Sequence, residues 1–169
     1  MYAFSYHLIH LGHPKTLRFM INPLNSSAVP GLIHAETMSI MQLGSPVYSL
    51  SRFFSKTIAI VAQWEDESAL ELFLSTHPIG IHIKTSWHLK LRLIHQWGSI
   101  SGFRIAPLSE LDSVGTPVVA ITLARMRPAE ISRFLRRGIP IERQPRDHPK
   151  KLMVLVSVRQ PTHIIFFSA

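Results

Sequence analysis

The chain contains no cysteine among its 169 residues, which excludes disulfide bonds, thiolate metal sites and a cysteine nucleophile. No apolar run approaches the roughly 20 residues of a membrane-spanning helix, and the N-terminus lacks the basic and apolar regions of a signal peptide. The glycines are isolated, so neither a phosphate-binding loop nor a dinucleotide-binding motif is present. These absences predict a soluble, cytoplasmic protein. The positive mean hydropathy leaves a peripheral membrane contact open.

Charged residues are few, at 17% of the chain, whereas hydrophobic residues make up 46%. This composition predicts a folded domain with a substantial core. The formal net charge is +8, and the excess of Lys and Arg is concentrated between Arg125 and Lys151. A solvated helix surface explains this basic stretch better than nucleic-acid binding, because it lacks interleaved exposed aromatics and its Phe134 occupies a core-like position. We therefore expect no nucleic-acid partner.

Hydrophobic periodicity predicts six elements in the first part of the chain. They are strands at 3–11, 31–41, 57–64 and 87–97, a helix that begins at Pro14, and a helix around 69–74 that His77 and Pro78 end. The apolar run at 57–64 predicts a central, buried strand, and i, i+3, i+4 spacing predicts that Leu17, Met20 and Ile21 are buried. The order is that of a ferredoxin-like βαββαβ unit of the α+β class.

A Gly-, Ser- and Pro-rich linker at 99–116 separates this unit, residues 1–98, from a second segment at 117–169. The pattern restarts there with a strand, a basic residue and Pro128, but too few residues follow for a complete second copy. We therefore expect an incomplete ferredoxin-like repeat. Its last strand, around 163–167, would form an exposed apolar edge that promotes self-association.

An ordered set of segments resembles the spheroidene monooxygenase family. The resemblance covers most of the chain, is strongest at residues 57–134, and is carried by residues 64–74, His77-Pro78, 87–91, 97–102 and 117–134. It implies a dimeric α+β barrel fold and oxygenation, with dioxygen, of an apolar carotenoid-like substrate. It also implies haem as a possible cofactor, and supplies no agreed catalytic residues. The sequence departs from the family in its incomplete second half and at 32–35, where an aromatic-rich stretch is expected.

These departures leave an alternative from another class of function. The chain could be a non-catalytic ligand-binding or assembly module of the same fold, or an inactive truncated product. A haem absorption band or retained carotenoid would favour the oxygenase, and a colourless protein would favour the alternative.

His88 is the main candidate catalytic and cofactor-binding residue, because it lies on the less apolar face of the clearest strand beside Lys90 and Arg92. A neutral imidazole suits haem iron or proton donation to bound oxygen, and nearby cations suit haem propionates. The alternative is a histidine on the strand surface.

Two more histidines lie on predicted neighbouring strands. His34 is a second catalytic candidate, and His7 could line a substrate pocket with Trp87. If His7, His34 and His88 shared one sheet face, they could form a single site. No helical His-x-x-x-His pair occurs, so a non-haem metal centre has weak support. Trp64 and Trp97 are expected to be packing residues.

Overall fold

The computed structural model describes residues 2–42, 49, 55–99, 101–104, 117–125, 127–130, 132–134, 136–137, 149, 153–159 and 163–168. The chain divides into two compact units. The first comprises residues 1–37 and 57–114, and the second comprises residues 38–56 and 115–169.

The first unit is an antiparallel sheet with helices packed on it, so the α+β class predicted from the sequence is confirmed. Its strands lie in the order β4-β1-β3-β2, with β1 antiparallel to both β3 and β4. The elements along the chain are β1 (Ala3–His10), α1 (His13–Ile21), β2 (Leu32–Ile40), β3 (Thr57–Trp64), α2 (Glu67–Thr76), α3 (Pro78–Lys84) and β4 (Trp87–Leu91). The last residues of β2 belong to the second unit.

Strand β3 lies between β1 and β2, and every residue after Thr57 is buried. This confirms the prediction of a central, buried strand. β-branched and small apolar residues suit this environment because both strand faces are covered.

The two faces of this sheet differ in what covers them. Ile9 and Ile60 belong to the core cluster that also holds Leu70, Phe73 and Leu74 of α2, so they mark the helix-covered face. Side chains alternate along a strand. Ser5 and His7 therefore share the face of Ile9, and their neighbours point to the opposite face. We call that opposite face the aromatic face, because it carries Phe4, Tyr6 and Trp87.

Helix α3 was not predicted, since His77 and Pro78 were expected to end the helical region. The structure instead begins a new helix at Pro78, where proline's missing N–H costs no hydrogen bond. The Nδ1 atom of His77 accepts a hydrogen bond from the backbone N–H of Ile79 at 3.2 Å and so caps α3. Gly80 permits the tight junction, because a Cβ at this position would collide with the carbonyl oxygen of Phe73.

Helix α1 is rotated relative to the prediction. Leu17 and Ile21 are exposed, whereas Thr16 is buried and Phe19 packs against the core. The Thr16 hydroxyl can donate to the carbonyl oxygens of Leu11 and Gly12, at 3.4 and 3.3 Å, which lets a polar residue occupy a buried position. The prediction that Leu17 and Ile21 are buried is therefore wrong.

Strand β4 is shorter than the expected 87–97 and ends at Leu91. Trp97 lies beyond it and is 86% exposed, so the expectation that it is a packing residue is wrong. Its ring contacts that of His95, with centroids 4.2 Å apart. Across the part of the chain that the structure describes, no helix is both long and apolar enough to cross a membrane.

The second unit contains β5 (Ala120–Arg125), a 3₁₀ turn (Pro128–Glu130), β6 (Val154–Arg159) and β7 (His163–Ser168). Residues 132–134 and 136–137 are helical, and Phe134 is exposed rather than core-like. Strand β7 pairs with β5 on one side and β6 on the other, and β6 also pairs with the end of β2. The expectation that the last strand is a free edge is therefore wrong.

The central position of β3 predicts that Ile60→Asp prevents folding. Ile60 is fully buried and faces the helices, so an unpaired carboxylate there should cost several kcal/mol. Soluble yield and thermal melting are the measurements. Leu72→Asp is the matched control, because Leu72 of α2 is exposed. Normal yield and melting of Ile60→Asp would contradict the assignment.

Candidate functional site

His7 and His88 form a stacked pair on the helix-covered face. They are directly opposite each other in the β1–β4 register, and their ring centroids lie 5.7 Å apart with an interplanar angle of 27°. His7 is 1% exposed, and neither of its ring nitrogens has a hydrogen-bond partner among the described residues. The Nδ1 atom of His88 donates to the carbonyl oxygen of Ser86 at 3.1 Å, because a carbonyl can only accept.

The surroundings of His7 oppose protonation. Burial, and secondly the charge that His88 can carry, lower the pKa of His7 from 6.5 to about 4. Both effects disfavour a cation in this position. His7 is therefore a neutral core residue at physiological pH and is poorly suited to proton transfer.

Lys90 is held in place by two carboxylates of α2. Its ammonium contacts Glu67 at 3.1 Å and also pairs with Glu71. Lys90 holds the pKa of Glu71 below its usual range, and the two carboxylates raise the pKa of Lys90. Arg92 lies beyond the end of β4 and is exposed.

The structure gives no specific support for the haem site expected at His88. The His88 ring stacks on His7 on the side of the sheet that the helices cover. Lys90 pairs with Glu67 and Glu71, so a haem propionate would compete with two carboxylates for its ammonium. No group of three or more His, Cys, Asp or Glu side chains in the described parts of the chain could hold a metal ion.

His34 and Glu36 form a second polar pair, on β2. The Nε2 atom of His34 lies 3.0 Å from Oε1 of Glu36, and i, i+2 spacing places both side chains on one strand face. Glu36 is almost completely buried and His34 is partly exposed. A buried carboxylate that is hydrogen-bonded to an imidazole fixes the orientation of the ring, an arrangement that suits general acid–base chemistry.

Residues 101–104 close over His34. The ring of Phe103 meets that of His34 edge-on, with centroids 4.7 Å apart, and stacks on Phe4 at 6.4 Å. Gly102 has φ +98°, and a Cβ there would lie 2.5 Å from the Nδ1 atom of His34. Only glycine suits this conformation and this close approach. The segment covers the second nitrogen of His34, so this histidine does not fit a haem iron.

The Gln63 side chain holds this segment on β3. Its Oε1 accepts a hydrogen bond from the backbone N–H of Arg104 at 2.7 Å, and its Nε2 donates to the backbone oxygen of Arg104. The paired bonds resemble those of a neighbouring strand. Gln63 is completely buried, so the loss of these bonds would leave its amide unsatisfied.

The structure thus separates the sequence-predicted residues. His7 and His88 lie on the helix-covered face. Trp87 lies on the aromatic face, where its ring meets Tyr6 edge-on with centroids 6.1 Å apart. His34 contacts that face through Phe103 and Phe4. The three histidines do not form one site, and Trp87 does not share a pocket wall with His7.

Sequence reasoning missed Glu36, Gln63, Gly102 and Phe103. The i, i+2 spacing of His34 and Glu36 within one predicted strand was a usable signal for the first of them. The others could not be found in this way, since their contacts join residues about 40 to 70 positions apart. Trp64 is fully buried and donates from Nε1 to the Ser5 hydroxyl at 2.8 Å, which confirms its packing role.

No protein-family model matches this sequence, and no curated protein matches it either. The resemblance to the spheroidene monooxygenases therefore stays a prediction.

The buried state of His7 predicts a pH-dependent stability. Its folded pKa of about 4 lies below the ordinary 6.5. Between these values the unfolded chain binds a proton at His7 that the folded chain does not. Stability is therefore greatest above pH 6.5 and falls as the pH drops toward 4, by on the order of 3 kcal/mol.

Thermal melting of wild type and His7→Leu across this pH range measures the effect. The wild type should lose more stability on acidification than the variant, although carboxylates contribute equally to both curves. His10→Gln is the control, since His10 lies on the same strand and is exposed. Parallel curves for wild type and His7→Leu would contradict the assignment.

Proposed function

We propose that the first unit is a ferredoxin-like fold of the dimeric α+β barrel type and that the chain is a spheroidene monooxygenase-like oxygenase acting in the cytoplasm. The strand order β4-β1-β3-β2, with one helical region between β1 and β2 and another between β3 and β4, supports this fold. Helix α3 is an addition to the simple pattern. In such a fold the sheet face opposite the helices is available for a ligand or a second sheet.

The main support for the proposed function is the His34–Glu36 pair beside the aromatic face. Phe4, Phe103 and Trp87, which are partly exposed, supply apolar surface for a long, unsaturated substrate, and the completely buried Tyr6 packs beneath Trp87. The His34 imidazole, oriented by Glu36 at 3.0 Å, supplies a proton at its margin. No other histidine–carboxylate hydrogen bond is present among the described side chains for which contacts are given.

Monooxygenation places one oxygen atom of dioxygen in the substrate and releases the other as water, so it needs two electrons from an external donor. We assign to this chain the binding of an apolar, carotenoid-like molecule and the delivery of a proton from His34. The proposal assigns haem no role at His34, and haem at His88 stays a prediction. The activation of dioxygen and the two electrons come from a redox cofactor or an external donor, since the side chains assigned here supply only binding, orientation and a proton.

The second candidate is a non-catalytic ligand-binding module of the same fold. The closed environment of His34 favours it, because Glu36 and the 101–104 segment approach both nitrogens of this ring. Both candidates predict ligand binding on the aromatic face, and they differ only in turnover.

The test is expression in cells that make an acyclic carotenoid, followed by purification and exposure to isotopically labelled dioxygen with a chemical reductant. Wild type should retain carotenoid and convert it to a product that contains label. His34→Gln should retain carotenoid but lower the rate by about 10²–10⁴-fold, the usual contribution of a general acid or base. Glu36→Gln should have an intermediate effect, and His10→Gln should have none.

If wild type retains carotenoid but forms no labelled product, the binding module is favoured. A colourless wild-type protein would overturn the oxygenase and favour the non-catalytic module. A product rate that is unchanged in His34→Gln would leave the oxygenase but remove His34 from it.

A further inference from the structure

Helix α1 presents two large apolar side chains to solvent. Leu17 is 59% exposed and Ile21 is 67% exposed, and their i, i+4 spacing places them side by side on one helix face. The opposite side of the helix packs on the core through Phe19 and Met20. Leu17 and Ile21 are therefore an apolar strip on the outer surface of the first unit.

Two cations lie on the same helix, with Arg18 beside the strip and Lys15 farther around the helix. Lys15 and Arg18 are exposed on the same helix, and neither forms an ion pair with any residue that the structure describes. The first acidic residue of the whole sequence is Glu36. The surface of α1 therefore combines apolar side chains with positive charge and carries no carboxylate of its own.

We propose that α1 docks the protein on an anionic lipid surface, with Leu17 and Ile21 inserted at the boundary of headgroups and acyl chains and with Lys15 and Arg18 against the headgroups. This pairing of apolar and basic residues is the chemistry of interfacial helices. A second copy of the chain is a less suitable partner, because a symmetric contact through this face would bring the cations of both copies together. The proposal does not depend on the reaction at His34.

The first experiment is cosedimentation of the full chain with vesicles of phosphatidylcholine alone and with vesicles that also contain phosphatidylserine. Wild type should bind the anionic vesicles and be released by salt. Replacement of Lys15 or Arg18 by Gln should weaken this binding by about fivefold each, the usual effect of one juxtamembrane cation. The double variant Leu17→Ser/Ile21→Ser should lose binding.

Leu72→Ser is the matched control. Leu72 of α2 is 55% exposed, close to the value for Leu17, but its helix carries Glu67 and Glu71. This variant should bind as wild type does. Because the exchanged side chains are exposed, all variants should melt near the wild-type temperature, and this is checked before binding is compared.

A second measurement does not rely on loss of binding. The chain has no cysteine, so Leu17→Cys and Leu72→Cys each provide one attachment point for an environment-sensitive fluorophore. The label at position 17 should shift to the blue on anionic vesicles, and the label at 72 should not. Equal shifts at both positions, absence of vesicle binding, or undiminished binding by the Leu17→Ser/Ile21→Ser variant would overturn the proposal. The proposal would also be overturned if wild type were a dimer, the Leu17→Ser/Ile21→Ser variant were a monomer, and vesicles bound neither of them.

Discussion

The two-sided burial of β3 is the constraint on which the first unit depends. Ile60 and Trp64 point toward the helices and Gln63 points the other way, and all three are completely buried. The strand therefore needs β1 and β2 as hydrogen-bonding neighbours and a separate cover on each face. The helices provide one cover. On the other face, Gln63 replaces apolar packing by two hydrogen bonds to the backbone of Arg104 and so fixes the segment that closes over His34.

The sequence was sufficient to predict which segments of the first unit form strands, because their apolar runs have few alternatives, although β4 ends six residues before the expected 97. β3 was predicted with its observed bounds. The sequence was insufficient to predict the helices, because local hydrogen bonds determine where these short elements begin and which face they bury. The buried Thr16 hydroxyl shifts the phase of α1 by one residue. The His77 cap turns an expected helix end into a new helix. Proline is compatible with either outcome, so composition alone could not distinguish them.

Which histidines lie close together could not be predicted from the sequence, for a different reason. Alternation assigns faces within one strand, but the register between strands relates those faces to each other. The β1–β4 register brings His7 opposite His88, whereas the rings of Phe103 and Phe4 connect His34 to β1. Phe103 lies in a stretch that composition assigned to a linker. Its contact with His34 follows from the Gln63–Arg104 bonds, which have no signature in the local sequence.

The proposed membrane contact and the proposed ligand surface lie on opposite sides of the sheet. The outer side of α1, with Leu17 and Ile21, lies on the helical side of the first unit, whereas the aromatic face is on the other side of the sheet. If α1 docks on a membrane, a ligand that leaves this membrane cannot reach the aromatic face through the packed core. It must go around an edge of the sheet. β4 is the outer strand next to β1, and its Trp87 is part of the aromatic face and is exposed. The β4 edge therefore offers apolar surface along this path, which makes membrane docking on the helical side compatible with ligand binding on the aromatic face.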